Sequence, residues 1–192
     1  MSAPTLPTAA IDRLIDELDS LGKTRDDAWQ ISREEGEMLR QIALVTNARV
    51  IVEIGTSYGF SGLFWGSALL RTGGLLHTID SNPAKVESSK RTFADAGLSA
   101  HVINHLGDAR EVLGRLNGPF DLAFIDADKP STRAYFDMIW PNIRKGGSII
   151  VDNATTHREQ LGDFVKHVRS LPEASSTEVP VGNGVEWIVK VR

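Results

Sequence analysis

The sequence predicts an α/β protein: one doubly wound, mostly parallel, seven-stranded sheet, finished by an antiparallel C-terminal hairpin strand and preceded by two extra helices. Three observations carry this. From Val50 onward, short apolar runs alternate with helical patterns. The runs are mainly apolar, as strands covered on both faces of a parallel sheet are. The chain then ends in two β-prone runs around Gly182-Asn183-Gly184, a hairpin signal.

Each element follows in order. Residues 1–8 are rich in Pro and Thr and read as a mobile tail. Ile11, Leu14, Ile15, Leu18 and Leu21 recur at three- and four-residue spacing. That predicts an amphipathic helix, capped by Thr8 and stopped by Gly22. A second helix starts at Ser32, where Ser32 and Glu35 form a capping-box pattern. Its apolar face is Met38, Leu39, Ile42 and Val45. Strands are predicted at 50–54, 75–79, 101–106, 120–125 and 148–151. Helices fall near 60–71, 83–96, 109–116, 131–140 and 157–170, joining the strands by right-handed crossovers. The 192 residues fill one domain, 1–192.

Composition removes several classes of function. Lys and Arg number 21 against 25 Asp and Glu, a net charge of −4, which argues against nucleic-acid and anionic-membrane partners. The absence of cysteine excludes disulfides, thiolate zinc sites, iron–sulfur clusters and a cysteine nucleophile. Nothing reads as a signal peptide or a membrane span, so the expected location is cytoplasmic.

Strand 50–54 runs into Glu53-Ile54-Gly55-Thr56-Ser57-Tyr58-Gly59-Phe60-Ser61. A strand, a glycine turn and a helix start make a nucleotide-binding corner. Ser57 occupies the second glycine of the dinucleotide fingerprint, which disfavours a pyrophosphate ligand and hence an NAD-dependent oxidoreductase. Glu53 suits a cationic ligand, an amine or a sulfonium. Asp80 ends the second strand, placed to accept ribose hydroxyls, and Gly107-Asp108-Ala109 follows the third, placed to cover an adenine. Each feature also fits a plain turn or a helix cap; three in register favour the ligand.

The fourth strand ends in Asp126-Ala127-Asp128-Lys129 and the fifth in Asp152-Asn153. Both ends fall on the carboxyl edge of a parallel sheet. Two carboxylates and an amide oxygen are hard ligands, suited to Mg²⁺, Mn²⁺ or Ca²⁺, and leave coordination positions open. The same residues fit a helix cap and a surface ion pair between Asp126 and Lys129. At the level of residues both stand.

Taken together, VEIGTSYGFS (52–61), TID (78–80), GDA (107–109), FIDADK (124–129), GGSIIVDN (146–153) and VPVGNG (179–184) resemble the cation-dependent O-methyltransferases that use S-adenosylmethionine, the catechol and caffeoyl-CoA group. The resemblance runs from about Trp29 to the C-terminus. It implies a Rossmann-like class I methyltransferase fold. It implies that Glu53, Gly55, Thr56 and Ser61 hold the methionine part of the cofactor, that Asp80 binds its ribose, and that Asp108 and Ala109 contact its adenine. Ile31 and Asp128 match further cofactor positions. Asp126, Asp152 and Asn153 match metal ligands, with Mg²⁺ foremost. Lys129 and Asp126 match the catalytic positions, with Lys129 the base beside the acceptor oxygen. The implied acceptor is a small hydroxylated aromatic of the catechol type, and the implied assembly a homodimer. A metal-independent methyltransferase of the same fold and a non-catalytic cofactor-binding protein are the competing readings.

The sequence departs from the family after Asn153, where Ala154-Thr155-Thr156-His157-Arg158 replaces the usual acceptor-covering stretch. The acceptor assignment therefore does not carry over as the cofactor and metal assignments do. Among smaller features, His157 reads as opening a helix, and His77, His101 and His105 read as structural. Trp29, Phe60, Trp65 and Tyr135 are candidates for an aromatic pocket, with Tyr135 and Phe136 favoured as core. Trp187 packs in the last strand, and Lys85, Lys90 and Arg91 read as a solvated helix face.

Overall fold

The computed structural model describes residues 8–192; the tail expected over 1–8 lies, but for Thr8, outside them. The chain order is α1 (Thr8–Gly22), α2 (Arg33–Val45), β1 (Val50–Ile54), α3 (Phe60–Thr72), β2 (Leu75–Asp80), α4 (Pro83–Asp95), β3 (Val102–Leu106) and α5 (Ala109–Leu113). Then come β4 (Phe120–Ile125), α6 (Thr132–Ile139), β5 (Ile143–Val151), α7 (Arg158–Ser170), β6 (Ala174–Val179) and β7 (Val185–Lys190). The strands form one sheet in the order β3-β2-β1-β4-β5-β7-β6. β1 to β5 pair in parallel, β7 joins β5 antiparallel, and β6 joins β7 antiparallel. The order reverses between β1 and β4, the switch point where such sheets bind ligands.

The apolar runs explain the layers. Residues of β1 alternate between faces: Ile51 joins a core with α1, α2, α3 and Phe93 of α4, while Val52 and Ile54 join one with α5, α6 and α7. Both faces of the central strands β1 and β4 are almost wholly buried, so no polar alternation is needed there, while the outer strand β3 leaves Ile103 and Leu106 exposed.

Four details differ from the sequence expectation. Thr8 is the first residue of α1 rather than a cap before it. Val45 is 81% exposed, and the buried face of α2 is Glu35, Gly36, Leu39, Ile42 and Ala43. The capping box is half made: the Ser32 hydroxyl accepts from the Glu35 N–H at 3.1 Å, but the Glu35 side chain does not return to Ser32 and is buried instead. β5 starts at Ile143, five residues early, because its first half (Arg144, Lys145, Gly146) is a partly exposed end that slips register against β4.

Candidate functional site

Backbone hydrogen bonds step across the carboxyl ends of the parallel strands. Gly107 N–H donates to Asp80 O at 3.1 Å and Gly55 N–H to Ile79 O at 2.9 Å. Asp126 N–H donates to Ile54 O at 2.9 Å and Asp152 N–H to Ile125 O at 3.1 Å. These four bonds fix the ends of five strands, β3, β2, β1, β4 and β5, in one row. A cavity of about 1020 Å³ lies on it. Gly55, Asp80, Asp108, Ala109 and Asp128 line one part, and Asp126, Lys129, Asp152 and Asn153 another. Of the predicted residues, Ile31, Glu53, Thr56 and Ser61 do not line it. All four are buried, Ile31 in the core beside α2 and the other three at the glycine corner.

The glycine corner is tight for a physical reason. Gly55 has φ +102, and a Cβ there would sit 1.9 Å from Asp126 O. Asp80 closes the corner: its Oδ2 accepts the Ser57 N–H at 2.8 Å and its Oδ1 the Asn82 N–H at 2.9 Å. Ser57, at φ 46, turns its hydroxyl outward to the Ala28 carbonyl at 2.6 Å. With the Tyr58 hydroxyl on Asp27 at 3.0 Å, it pins the α1–α2 connection over the loop. Asp108 caps α5 through the Arg110 N–H at 2.8 Å, and Asp128 accepts from the Tyr135 hydroxyl at 2.8 Å. Both acids thus serve local structure while still facing the cavity.

Glu53 is fully buried beneath the loop. The Thr78 hydroxyl donates to its Oε2 at 2.6 Å, while its Oε1 has no donor. Burial pushes its carboxyl up to about 7, against the hydrogen bonds from Ser61 and Thr78. An acid raised in the folded state favours folding below its unfolded value and loses that contribution as pH climbs through its folded value. Wild type is therefore expected to lose stability relative to Glu53→Gln between about pH 4.5 and 7, on the order of 3 kcal/mol for a shift of this size. Urea unfolding of both proteins across that range measures it; parallel curves would refute the buried-acid assignment.

At the other part of the cavity, Lys129 Nζ donates to Asp126 Oδ1 at 3.3 Å, with the side chains only 10% and 19% exposed. This is not the exposed surface pair that the residues also allowed. Asp152 is 2% exposed, and its Oδ1 accepts the Asn153 N–H at 2.6 Å. Asn153 holds φ 66, a left-handed conformation that Asn tolerates better than most residues. Burial raises Asp126 despite Lys129; burial and the charge of Asp126 raise Asp152. The two carboxylates thus share more negative charge than Lys129 offsets. Hard oxygen donors in excess of local positive charge fit a divalent cation. Among the described residues no three His, Asp or Glu groups converge into a closed cage. The available set is two carboxylates and the Asn153 amide, open toward the cavity.

His157 opens α7 as expected, and it also lines the cavity with Gln160 and Asn183. Sequence reasoning missed other groups. Lys85 is not on a solvated face: it is 6% exposed, with Nζ 4.2 Å from the ring centre of Trp29, and both line the cavity. Lys90 and Arg91 are exposed as expected. Phe60 and Trp65 lie in the core, so of the four aromatic candidates only Trp29 and Tyr135 face the cavity. His77 and His105 stack on each other, Nδ1 to Nε2 at 3.1 Å, and His101 meets the Gly74 carbonyl at 2.8 Å. Glu35 carried no signal beyond the capping pattern, although it is fully buried and neither carboxyl oxygen has a donor.

Comparison with known proteins agrees with this geometry. A family model described as O-methyltransferase matches residues 9–171. The catechol O-methyltransferase of Niastella koreensis is 33% identical over 146 residues, 74% of this chain and 66% of that protein. The solved O-methyltransferase TomG from Streptomyces achromogenes, in complex with SAM, has TM-score 0.81 at 26% identity, over 95% of this chain and 90% of that one. The SAH-bound methyltransferase PaMTH1 of Podospora anserina has TM-score 0.85 at 23% identity, over 95% of this chain and 88% of that one, a likeness of fold. The chain spans 56 to 66% of the length of the curated relatives it matches.

Proposed function

We propose, since the chain belongs to the O-methyltransferase family, that it moves the methyl group of S-adenosylmethionine to a hydroxyl of a small catechol-type acceptor held at a divalent cation. The observation that carries this is the meeting of Asp126, Lys129, Asp152 and Asn153 in one cavity with the glycine corner, across the switch point of the sheet. The name of the Niastella relative supports the acceptor class, and the TomG complex supports the cofactor.

Each residue then has a task. Gly55 and Asp80 shape the corner that takes the nucleoside, and a sulfonium bound there would draw the buried Glu53 carboxyl beneath it toward its ionised form. Bound S-adenosylmethionine supplies an electrophilic methyl group. Asp126, Asp152 and Asn153 would hold the divalent ion, with Mg²⁺ the best match to all-oxygen donors. Such an ion lowers the pKa of a hydroxyl beside it. Lys129 Nζ, kept at the cavity wall by Asp126 and largely withdrawn from water, takes the proton of the acceptor hydroxyl where it enters the reaction as the neutral amine; as the ammonium it steadies the oxyanion left when that proton goes to water. Holding the two reactants in line supplies most of the acceleration, and the chain forms no covalent bond to either.

The test uses the purified protein, S-adenosylmethionine and a panel of catechols, with Mg²⁺ or with a chelator. Methylated catechol formed only with Mg²⁺ is the expected product, alongside calorimetric binding of S-adenosylhomocysteine and none of NAD. Turnover indifferent to chelation would remove the cation from the reading. Cofactor binding with no transfer to any acceptor would leave a non-catalytic cofactor-binding protein.

A further inference from the structure

Trp29 is a large aromatic side chain that the core does not use. It stands on the connection between α1 and α2, is 76% exposed, and lines the cavity. Its backbone holds φ 44, a left-handed conformation that bulky residues seldom adopt. Such outliers persist where the surroundings hold them, and they gather at ligand sites. Here the holding is visible. Two routes of contact run from Asp80, at the nucleoside corner, to this residue. On the first, Asp80 Oδ2 accepts the Ser57 N–H at 2.8 Å, and the Ser57 hydroxyl donates at 2.6 Å to the carbonyl of Ala28, just before Trp29. On the second, Asp80 Oδ1 accepts the Asn82 N–H at 2.9 Å, and Asn82 Oδ1 accepts the Lys85 N–H at 3.3 Å. Lys85 Nζ then stands 4.2 Å from the Trp29 ring centre.

Lys85 is 6% exposed, and its ammonium meets two ring faces, Trp29 and, at 5.8 Å, Tyr58, but no carboxylate among the described residues. Withdrawing an ammonium from water without a counter-charge costs free energy, which the ring faces offset in part. In return the ammonium fixes the plane of the indole. Ile31, two residues on, is buried in the core, whereas Trp29 is the aromatic of this connection that reaches the cavity. We propose that Trp29 is a further cofactor-binding residue, which packs its indole on the nucleoside held at Asp80, and that Lys85 is the positioning residue that sets the ring's plane. Packing a wet aromatic ring on a nucleoside removes apolar surface from water on both partners and adds the preference of one ring for another.

The inference rests on the cofactor reading above. Its test is calorimetry of S-adenosylhomocysteine binding, paired with tryptophan fluorescence during the same titration. Trp29→Ala is expected to bind about tenfold more weakly, Trp29→Phe within about threefold of wild type, and Lys85→Gln about threefold to tenfold more weakly. The chain has four tryptophans. Saturation with S-adenosylhomocysteine is expected to change the emission of wild type and to leave that of Trp29→Phe nearly unchanged, although Trp29→Phe still binds. A purely structural role would not produce that split. Thermal unfolding of the free variants is expected within a few degrees of wild type, because so exposed a ring buries little. Wild-type affinity in Trp29→Ala, or an emission change that survives in Trp29→Phe, would overturn the proposal. Wild-type affinity in Lys85→Gln would overturn the positioning role of Lys85. Absence of S-adenosylhomocysteine binding to wild type would instead refute the cofactor reading, and this proposal with it.

Discussion

Asp152→Ala is expected to lower methyl transfer by about 10³-fold and to leave the residual rate indifferent to Mg²⁺. A bound cation contributes several kcal/mol to stabilising a developing oxyanion, and each 1.36 kcal/mol is a factor of ten in rate. Asp152 is one of two carboxylates in the donor set, so its removal halves the charge available to the ion. The cofactor corner is built from β1 and β2 and does not touch it, so affinity for S-adenosylhomocysteine is expected to stay within a few-fold. Stability is expected to hold or rise. The lost carboxylate is buried, repelled by Asp126, and accepts one local backbone donor. Removing such a group relieves repulsion rather than breaking a matched pair. Steady-state kinetics with a Mg²⁺ titration, together with thermal unfolding, measure all three. Unchanged activity with an unchanged Mg²⁺ response would sink the metal assignment.

The second large effect is backbone rather than chemical. Gly55→Ala is expected to cost more than about 4 kcal/mol, or to yield a protein that no longer binds S-adenosylhomocysteine. The added Cβ would stand 1.9 Å from Asp126 O and 2.8 Å from its carbonyl carbon, at a φ of +102. Neither side has room to retreat, because the Asp126 N–H is already bonded to Ile54 O and the Gly55 N–H to Ile79 O. Losses of this size arise only from a few causes, and strain at a special backbone position is one. Gly73→Ala is the control. It has φ +73 but nothing within 4 Å of its Cβ position, so it is expected to cost about 1 kcal/mol. Urea unfolding and calorimetry on both variants separate collision from conformational preference.

The fold was legible because its central strands are buried on both faces, which writes them as mainly apolar runs such as VIVEI and FDLAFI. β5 was legible only in its second half, where SIIV is dry. Arg144, Lys145 and Gly146 belong to the same strand but lie at an open end, and nothing in their composition says so. The cavity acids were legible because strand ends in a parallel sheet share one edge. What stayed hidden depended on long-range packing. Glu35 looked like half of a capping box because three-residue spacing is all a sequence shows; only packing against the β6–β7 turn, more than a hundred residues on, reveals it as a buried acid. Lys85 looked solvated because its helix has a polar face, until the α1–α2 connection lays Trp29 across its ammonium.

The turn at Gly182-Asn183-Gly184 touches two separate parts of the fold. Behind it, Gly182 packs on Glu35; in front, the Asn183 carbonyl accepts the N–H groups of Thr155 and Thr156 at 3.2 Å each, and the Gly184 carbonyl that of Ala154 at 2.7 Å. Those three residues lead from Asn153 to His157 at the cavity rim. One three-residue turn therefore packs on the buried start of α2 and sets where the cavity rim stands. An insertion in this hairpin is expected to shift the rim and the packing over Glu35 together, so the two cannot be altered independently from this side.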